Sequence, residues 1–171
     1  MLGAVVILGH GASGTAASMR PHVDGLRARG VEARAIDLPT GRAERAVETF
    51  AAAARTYGGG AVVGGHSYGG RVASLLAARD GAAGLVLLSY PLHRPGRPEE
   101  LRTEHWPEIR CPVILLSGES DPFAGVDLLR EAVSLLADAR LITYPRVGHG
   151  LLTVLDDVLD HVTGFVATVT R

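Results

Sequence analysis

The chain has 171 residues, 47% of them hydrophobic and 20% charged, with a formal net charge of −1 at pH 7. That is apolar surface enough for one folded domain, 1–171, and it excludes a disordered chain or a nucleic-acid binder acting through a basic field. All 17 basic residues are arginine, so Schiff-base lysine chemistry, a P-loop lysine and the Tyr-x-x-x-Lys pair of short-chain dehydrogenases are excluded too.

The opening run MLGAVVILG is short, has no basic leader, and runs straight into His10-Gly11. It predicts a strand over 4–9 rather than a signal peptide. Every apolar run is shorter than the ~20 residues of a membrane span, so the expectation is a soluble, cytoplasmic protein with no membrane partner. Gly9, Gly11 and Gly14 then spell G-x-G-x-x-G ahead of a helix pattern over 15–29. After a second strand, 31–36, comes Asp37, at the spacing of a ribose-binding acid. This stretch therefore has two readings, a pyrophosphate cradle or one wall of an oxyanion hole. In the second reading Asp37 is a strand-end or helix-entry residue.

A helix over 42–57, with Thr40 as start signal, leads to the third strand, 60–66. That strand ends in GGHSYGGR, where Gly65-His66-Ser67-Tyr68-Gly69 reads G-x-S-x-G. Between an apolar strand and an Ala/Leu-rich helix, 68–79, this is the pattern of a nucleophile elbow. A sharp strand-to-helix turn lifts the serine above the sheet edge, and side chains at the two glycines would collide with neighbouring backbone. A fourth strand, 84–89, is followed by a proline-rich crossover, 90–110, with at most a short helix. Long ordered loops of this kind are often functional. Within it Arg94, Arg97 and Arg102 are candidates to meet a substrate carboxylate, or a wet loop.

Cys111, the single cysteine, excludes an internal disulfide or a cysteine zinc cluster and reads as a buried strand residue. The fifth strand, 112–117, ends in GESDPF with Asp121, and a helix pattern covers 124–137. The sixth strand, 139–144, ends in GHG with His149. The last helix, 152–169, carries Leu152, Leu155, Leu159, Val162, Val166 and Val169 along one face. Strands alternating with helices predict a parallel sheet covered on both faces.

A serine hydroxyl needs a base, and the base needs an orienting acid. Behind a nucleophile elbow these follow in the order serine, acid, histidine. Ser67, Asp121 and His149 obey it, all on loops at strand carboxyl ends; Glu119 is the fallback acid. The N–H groups of Tyr68 and Ala12, with Ser13 as the alternative to Ala12, are the candidate oxyanion donors. A dinucleotide domain has no use for that set, so the glycine loop reads as oxyanion wall. Tyr68, Tyr90, Leu92, Trp106 and Phe123 are candidates for the acyl pocket wall. His22 and His161 are expected in solvent, His66 in local packing, His93 and His105 on an exposed loop. With no histidine pair at metal-ligand spacing beside carboxylates, neither a metal nor another cofactor is expected.

On the pieces GHGAS, GGHSYGGR, YPLHRPGRPEELRTEHWPEIRCPVILLSGESDPF and GHG the chain resembles, nearly end to end, the small α/β-hydrolases of the dienelactone-hydrolase-like branch. The third piece is similar to bacterial hydrolases with few assigned substrates and to eukaryotic domains of chromatin-associated complexes. The resemblance implies an α/β class chain with a minimal, capless α/β-hydrolase fold. Its doubly wound sheet would have six parallel strands in the order 2-1-3-4-5-6, beginning at the third strand of larger relatives. It implies Ser67 as nucleophile, Asp121 as acid, His149 as base, and Ala12 and Tyr68 as oxyanion donors. Two departures stand out. Dienelactone hydrolases proper use cysteine where Ser67 stands, and Ser13 takes a position where many relatives have glycine. The expected activity is hydrolysis of a small to moderate ester or thioester substrate through an acyl-enzyme. A transacylase and a non-catalytic scaffold on the same fold remain as alternatives.

Overall fold

The computed structural model describes residues 3–171. Six strands form one sheet: β1 Val6–Gly9, β2 Ala33–Ile36, β3 Val62–His66, β4 Gly84–Leu88, β5 Val113–Gly118 and β6 Ala139–Tyr144. All pairings are parallel and the order is β2-β1-β3-β4-β5-β6, as the resemblance implied. Four helices connect them, α1 Arg20–Ala28, α2 Ala43–Arg55, α3 Tyr68–Asp80 and α4 Val126–Ala132, and a fifth, α5 Leu155–Val169, follows β6.

The strands read as unbroken apolar runs because both faces of the sheet are covered. Along β4, Leu85 and Leu87 point into a core made with α2, α3 and α4. Val86 and Leu88 point the other way, into a core made with α1 and α5. The same alternation runs through Val113, Ile114, Leu115 and Leu116 of β5. Cys111 is buried just ahead of β5, outside it, because Pro112 has no N–H to give the ladder. Burial pushes its thiol pKa up.

Several elements are shorter than the pattern predicts. The run 15–29 opens as a 3-10 turn, Ala16–Met19, and becomes α-helical only at Arg20-Pro21. The run 124–137 is helical only over α4, then tightens into a 3-10 turn, Val133–Leu135. Its late start has a local cause: the Asp121 carboxylate takes the Phe123 N–H at 2.8 Å and holds 121–123 in a turn. No inserted domain covers the sheet edge between β4 and β5; the crossover holds only the 3-10 turn Trp106–Glu108. Among the described residues no helix is long and apolar enough to cross a membrane.

Candidate active site

β1, β3, β5 and β6 deliver His10, Ser67, Asp121 and His149 to one edge of the sheet. At the end of β3 the chain turns so sharply that Ser67 has φ 50° and ψ −116°. That is a left-handed, strained backbone for a residue with a Cβ, worth about 1–3 kcal/mol. The strain is held in place by close packing. A Cβ on Gly65 or Gly69 would run into the backbone of Gly9, and one on Gly9 would meet the Gly69 Cα. The Ser67 N–H is fastened to the Leu88 carbonyl at 2.8 Å.

The Ser67 Oγ lies 2.9 Å from His149 Nε2, and His149 Nδ1 lies 2.8 Å from the Asp121 Oδ2. The Asp121 side chain is fully buried, while His149 is 26% exposed. A buried carboxylate next to Nδ1 places the imidazole proton there and leaves Nε2 free to accept from the hydroxyl. Such a line can take the proton of Ser67 as its oxygen attacks an electrophile. The loops carrying the acid and the histidine are tied by backbone bonds, Glu119 N–H to the Tyr144 carbonyl and Ser120 N–H to the Val147 carbonyl, both 2.9 Å. Glu119, the fallback acid, faces elsewhere: it accepts the Thr143 hydroxyl at 2.8 Å and pairs with Arg130 at 3.5 Å.

In front of Ser67 lies a cleft of about 540 Å³, lined among others by Ala12, Ser13, Tyr68, Phe123 and His149. Gly14 N–H closes a turn onto the Gly11 carbonyl at 3.0 Å, leaving Ala12 and Ser13 at its tip. Tyr68 is the first residue of α3 and has no intrahelical acceptor for its N–H. Among the described residues the N–H groups of Ala12, Ser13 and Tyr68 are paired with no protein acceptor. His10, buried, anchors the turn: its Nδ1–H donates to the Gly11 carbonyl at 2.7 Å and its Nε2 accepts the Leu38 N–H at 2.9 Å. The dinucleotide features are consumed internally. No α-helix starts at Gly14, and the Asp37 carboxylate takes the Ala16 N–H at 2.8 Å.

Of the five expected wall residues, Tyr68 and Phe123 line the cleft. The Phe123 ring stands 4.5 Å from the His149 ring. Tyr90, Leu92 and Trp106 are a correction: they are buried in the core and do not line it. Tyr90 and Trp106 pack edge to face at 5.0 Å, and the Tyr90 hydroxyl donates to the Arg102 carbonyl at 2.6 Å. They pin the crossover beneath α3, because large apolar side chains do more as core than as a wet wall.

His22, His93 and His105 need correcting as well, whereas His66 packs locally, its ring 5.2 Å from that of His149. His22 is buried in α1, and burial with His66 nearby lowers its pKa to about 4. His93 is buried, donating from Nδ1 to the Arg94 carbonyl at 2.8 Å and accepting the Gly125 N–H at 3.0 Å. His105 turns inward to the Ser74 hydroxyl, 2.7 Å away. His66 is at the site itself: its Nε2–H donates to the His149 carbonyl at 3.1 Å, and burial lowers its pKa. His161 is half-buried beside Asp157. Four cleft residues had little or no signal in the sequence, Ser18, Gly41, Arg71 and Pro91. Arg71 was legible only as the residue one helical turn past Ser67. Of the crossover arginines Arg102 lines the cleft, whereas Arg97 pairs with Glu100 at 3.2 Å. Among the described residues no group of three or more potential ligands is placed to hold a metal ion.

An alpha/beta hydrolase domain family matches residues 3–157. Solved structures share the fold over nearly the whole chain at low identity. A monoacylglycerol lipase of Paleococcus ferrophilus superposes with TM-score 0.82 at 15% identity, covering 98% of this chain and 97% of that one. Est1E of Butyrivibrio proteoclasticus gives 0.82 at 18%, covering 98% and 88%. A thermophilic esterase of Thermogutta terrifontis gives 0.76 at 16%, covering 99% and 91%. At these identities the likeness is one of fold.

Proposed function

The chain belongs to the alpha/beta hydrolase domain family, and on that premise we propose that 1–171 forms one serine hydrolase domain cleaving small to moderate esters or thioesters. The observation that carries the reading is the unbroken line from the Ser67 Oγ through His149 to the buried Asp121, starting from a strained elbow. His149 Nε2 takes the hydroxyl proton as Ser67 attacks the carbonyl carbon. Asp121 holds the imidazole in the required tautomer and offsets its charge. The N–H groups of Tyr68 and Ala12 receive the oxyanion, and preorganised donors of this kind supply much of the catalysis in acyl transfer. His149 returns the proton to the leaving alcohol or thiol. Water, deprotonated by the same imidazole, then clears the acyl-enzyme.

Within the family the chain falls, on this reading, in the dienelactone-hydrolase-like branch, with serine where dienelactone hydrolases carry cysteine. It acts in the cytoplasm on a small-molecule substrate and needs no cofactor. The lipase and the esterase among the structural neighbours are of a kind with this reading.

The test is intact-mass spectrometry after a fluorophosphonate probe. One adduct is expected on the wild-type protein and none on Ser67→Ala. Folded wild-type protein that takes no adduct would mean that the serine is not activated, and the scaffold alternative would replace this reading.

A further inference from the structure

Resting on the serine-hydrolase reading, we propose that the substrate carries an oxyanion group, a carboxylate or a phosphate, seated between the guanidinium groups of Arg71 and Arg102 in the cleft beside Ser67. Both arginines line that cleft together with Ser67 and His149. Arg71 stands one turn past the nucleophile on α3, its N–H bonded to the Ser67 carbonyl at 3.0 Å. Helical side chains lean toward the helix N-terminus, so the guanidinium leans toward the Ser67 end of the helix. Arg102 comes from the crossover that follows β4. Its backbone is fixed by the Leu92 carbonyl at 2.8 Å and by the buried Tyr90 hydroxyl at 2.6 Å.

Among the described residues neither guanidinium has an acid partner. Arg29, Arg34, Arg79, Arg97 and Arg130 all pair with carboxylates, and among the described residues Arg71 and Arg102 do not. The Arg71 Nε is buried with no hydrogen-bond partner at all. Arg102 has one weak acceptor, the Pro91 carbonyl at 3.4 Å. A buried donor without an acceptor is costly unless something arrives to accept from it. At Arg102 and His105 the neighbouring arginines outweigh the neighbouring acids, Glu100 and Glu104. Burial, then Arg71 and Arg94, lowers the Arg102 pKa, and burial, then Arg71, lowers that of His105. Of the nearby acids, Glu100 is paired with Arg97, Asp121 is buried behind His149, and Glu104 does not line the cleft. Two planar forks on residues lining one cleft can match the paired oxygens of a carboxylate or phosphate, which bind arginine in bidentate fashion.

The experiment compares kcat/KM for mono-p-nitrophenyl glutarate and for p-nitrophenyl butyrate, which differ by a terminal carboxylate. The wild-type ratio is expected to favour the anionic ester by about tenfold or more, and to fall toward unity in Arg71→Gln and Arg102→Gln. Arg71→Lys, which keeps the charge and loses the fork, should fall between. A wild-type ratio near unity, or one that no arginine variant changes, overturns the subsite and leaves hydrolysis standing. Ser67→Ala protein is also titrated by calorimetry with monomethyl and dimethyl glutarate. Heat from the monoanion alone supports the subsite even if no ester is turned over, which separates its fate from that of the hydrolase reading. Equal binding of both, or of neither, overturns it. Inorganic phosphate and glutarate, added as competitors, show which oxyanion the site prefers; if neither displaces the monoester, the proposal is overturned.

Discussion

Glu119 and Asp121 sit two positions apart on one loop, and both satisfy the order serine, acid, histidine. Side-chain direction separates them. Asp121 is buried against the His149 Nδ1, while Glu119 points to Thr143 and Arg130. The histidines show the same dependence on surroundings. His22 looks like an ordinary helix residue, yet burial lowers its pKa from 6.5 to about 4. The unfolded chain takes up this proton near pH 6.5, and the folded chain refuses it until about pH 4. Stability is therefore complete above pH 6.5 and falls with pH, by at most roughly 3 kcal/mol at pH 4 from this group. Burial of His66 acts in the same direction. Urea unfolding from about pH 7 down to about pH 4 should give a flatter stability curve for His22→Leu than for wild type. Parallel curves would assign the acid lability to other groups.

At the scale of elements, the elbow was readable because its requirements are local. An apolar strand, a serine between two glycines and a helix-forming run leave little choice of turn. What makes the turn tight is less local, namely the contact between β1 and the start of α3, where Gly9 faces Gly65 and Gly69. Gly69→Ala places a methyl group against the Gly9 backbone. It should cost about 1–3 kcal/mol or more and slow fluorophosphonate labelling, since the elbow must move to admit it. Gly164→Ala on α5, where a Cβ meets nothing within 4 Å, is the control and should label as wild type. Element ends were less readable than elements. The pattern 124–137 keeps helical spacing to its start, but the Asp121 carboxylate claims the Phe123 N–H, and α4 begins at Val126. The crossover was read as loop, and its aromatic residues as pocket wall. Tyr90 and Trp106 instead extend the core under α3, a placement that only the neighbouring helix can specify.

Across the whole molecule, the cleft is bounded by strand-end loops and by the crossover, with no inserted domain above it among the described residues. A short acyl chain can lie against Phe123 and Tyr68, whereas carbons beyond the cleft stay in water and contribute little to transition-state binding. In a series of p-nitrophenyl esters, kcat/KM should be highest for acetate to butyrate and lower for octanoate and longer. A rate that climbs with chain length would mean that an apolar surface outside this cleft takes part.

The sequence by itself determined the class of fold, the six strands and their connections to five helices, and the three residues that meet at the sheet edge. These follow from spacing, from turn chemistry and from chain order, all carried by neighbours along the chain. Only the tertiary structure decided which loop side chains face the cleft. It turned Phe123 toward His149 and sank Trp106 into the core, withdrew Glu119, bonded Asp37 to Ala16, and brought Arg71 and Arg102 to one space without an acid between them. Burial and charge pairing are made between residues far apart in the chain, so no local pattern can record them.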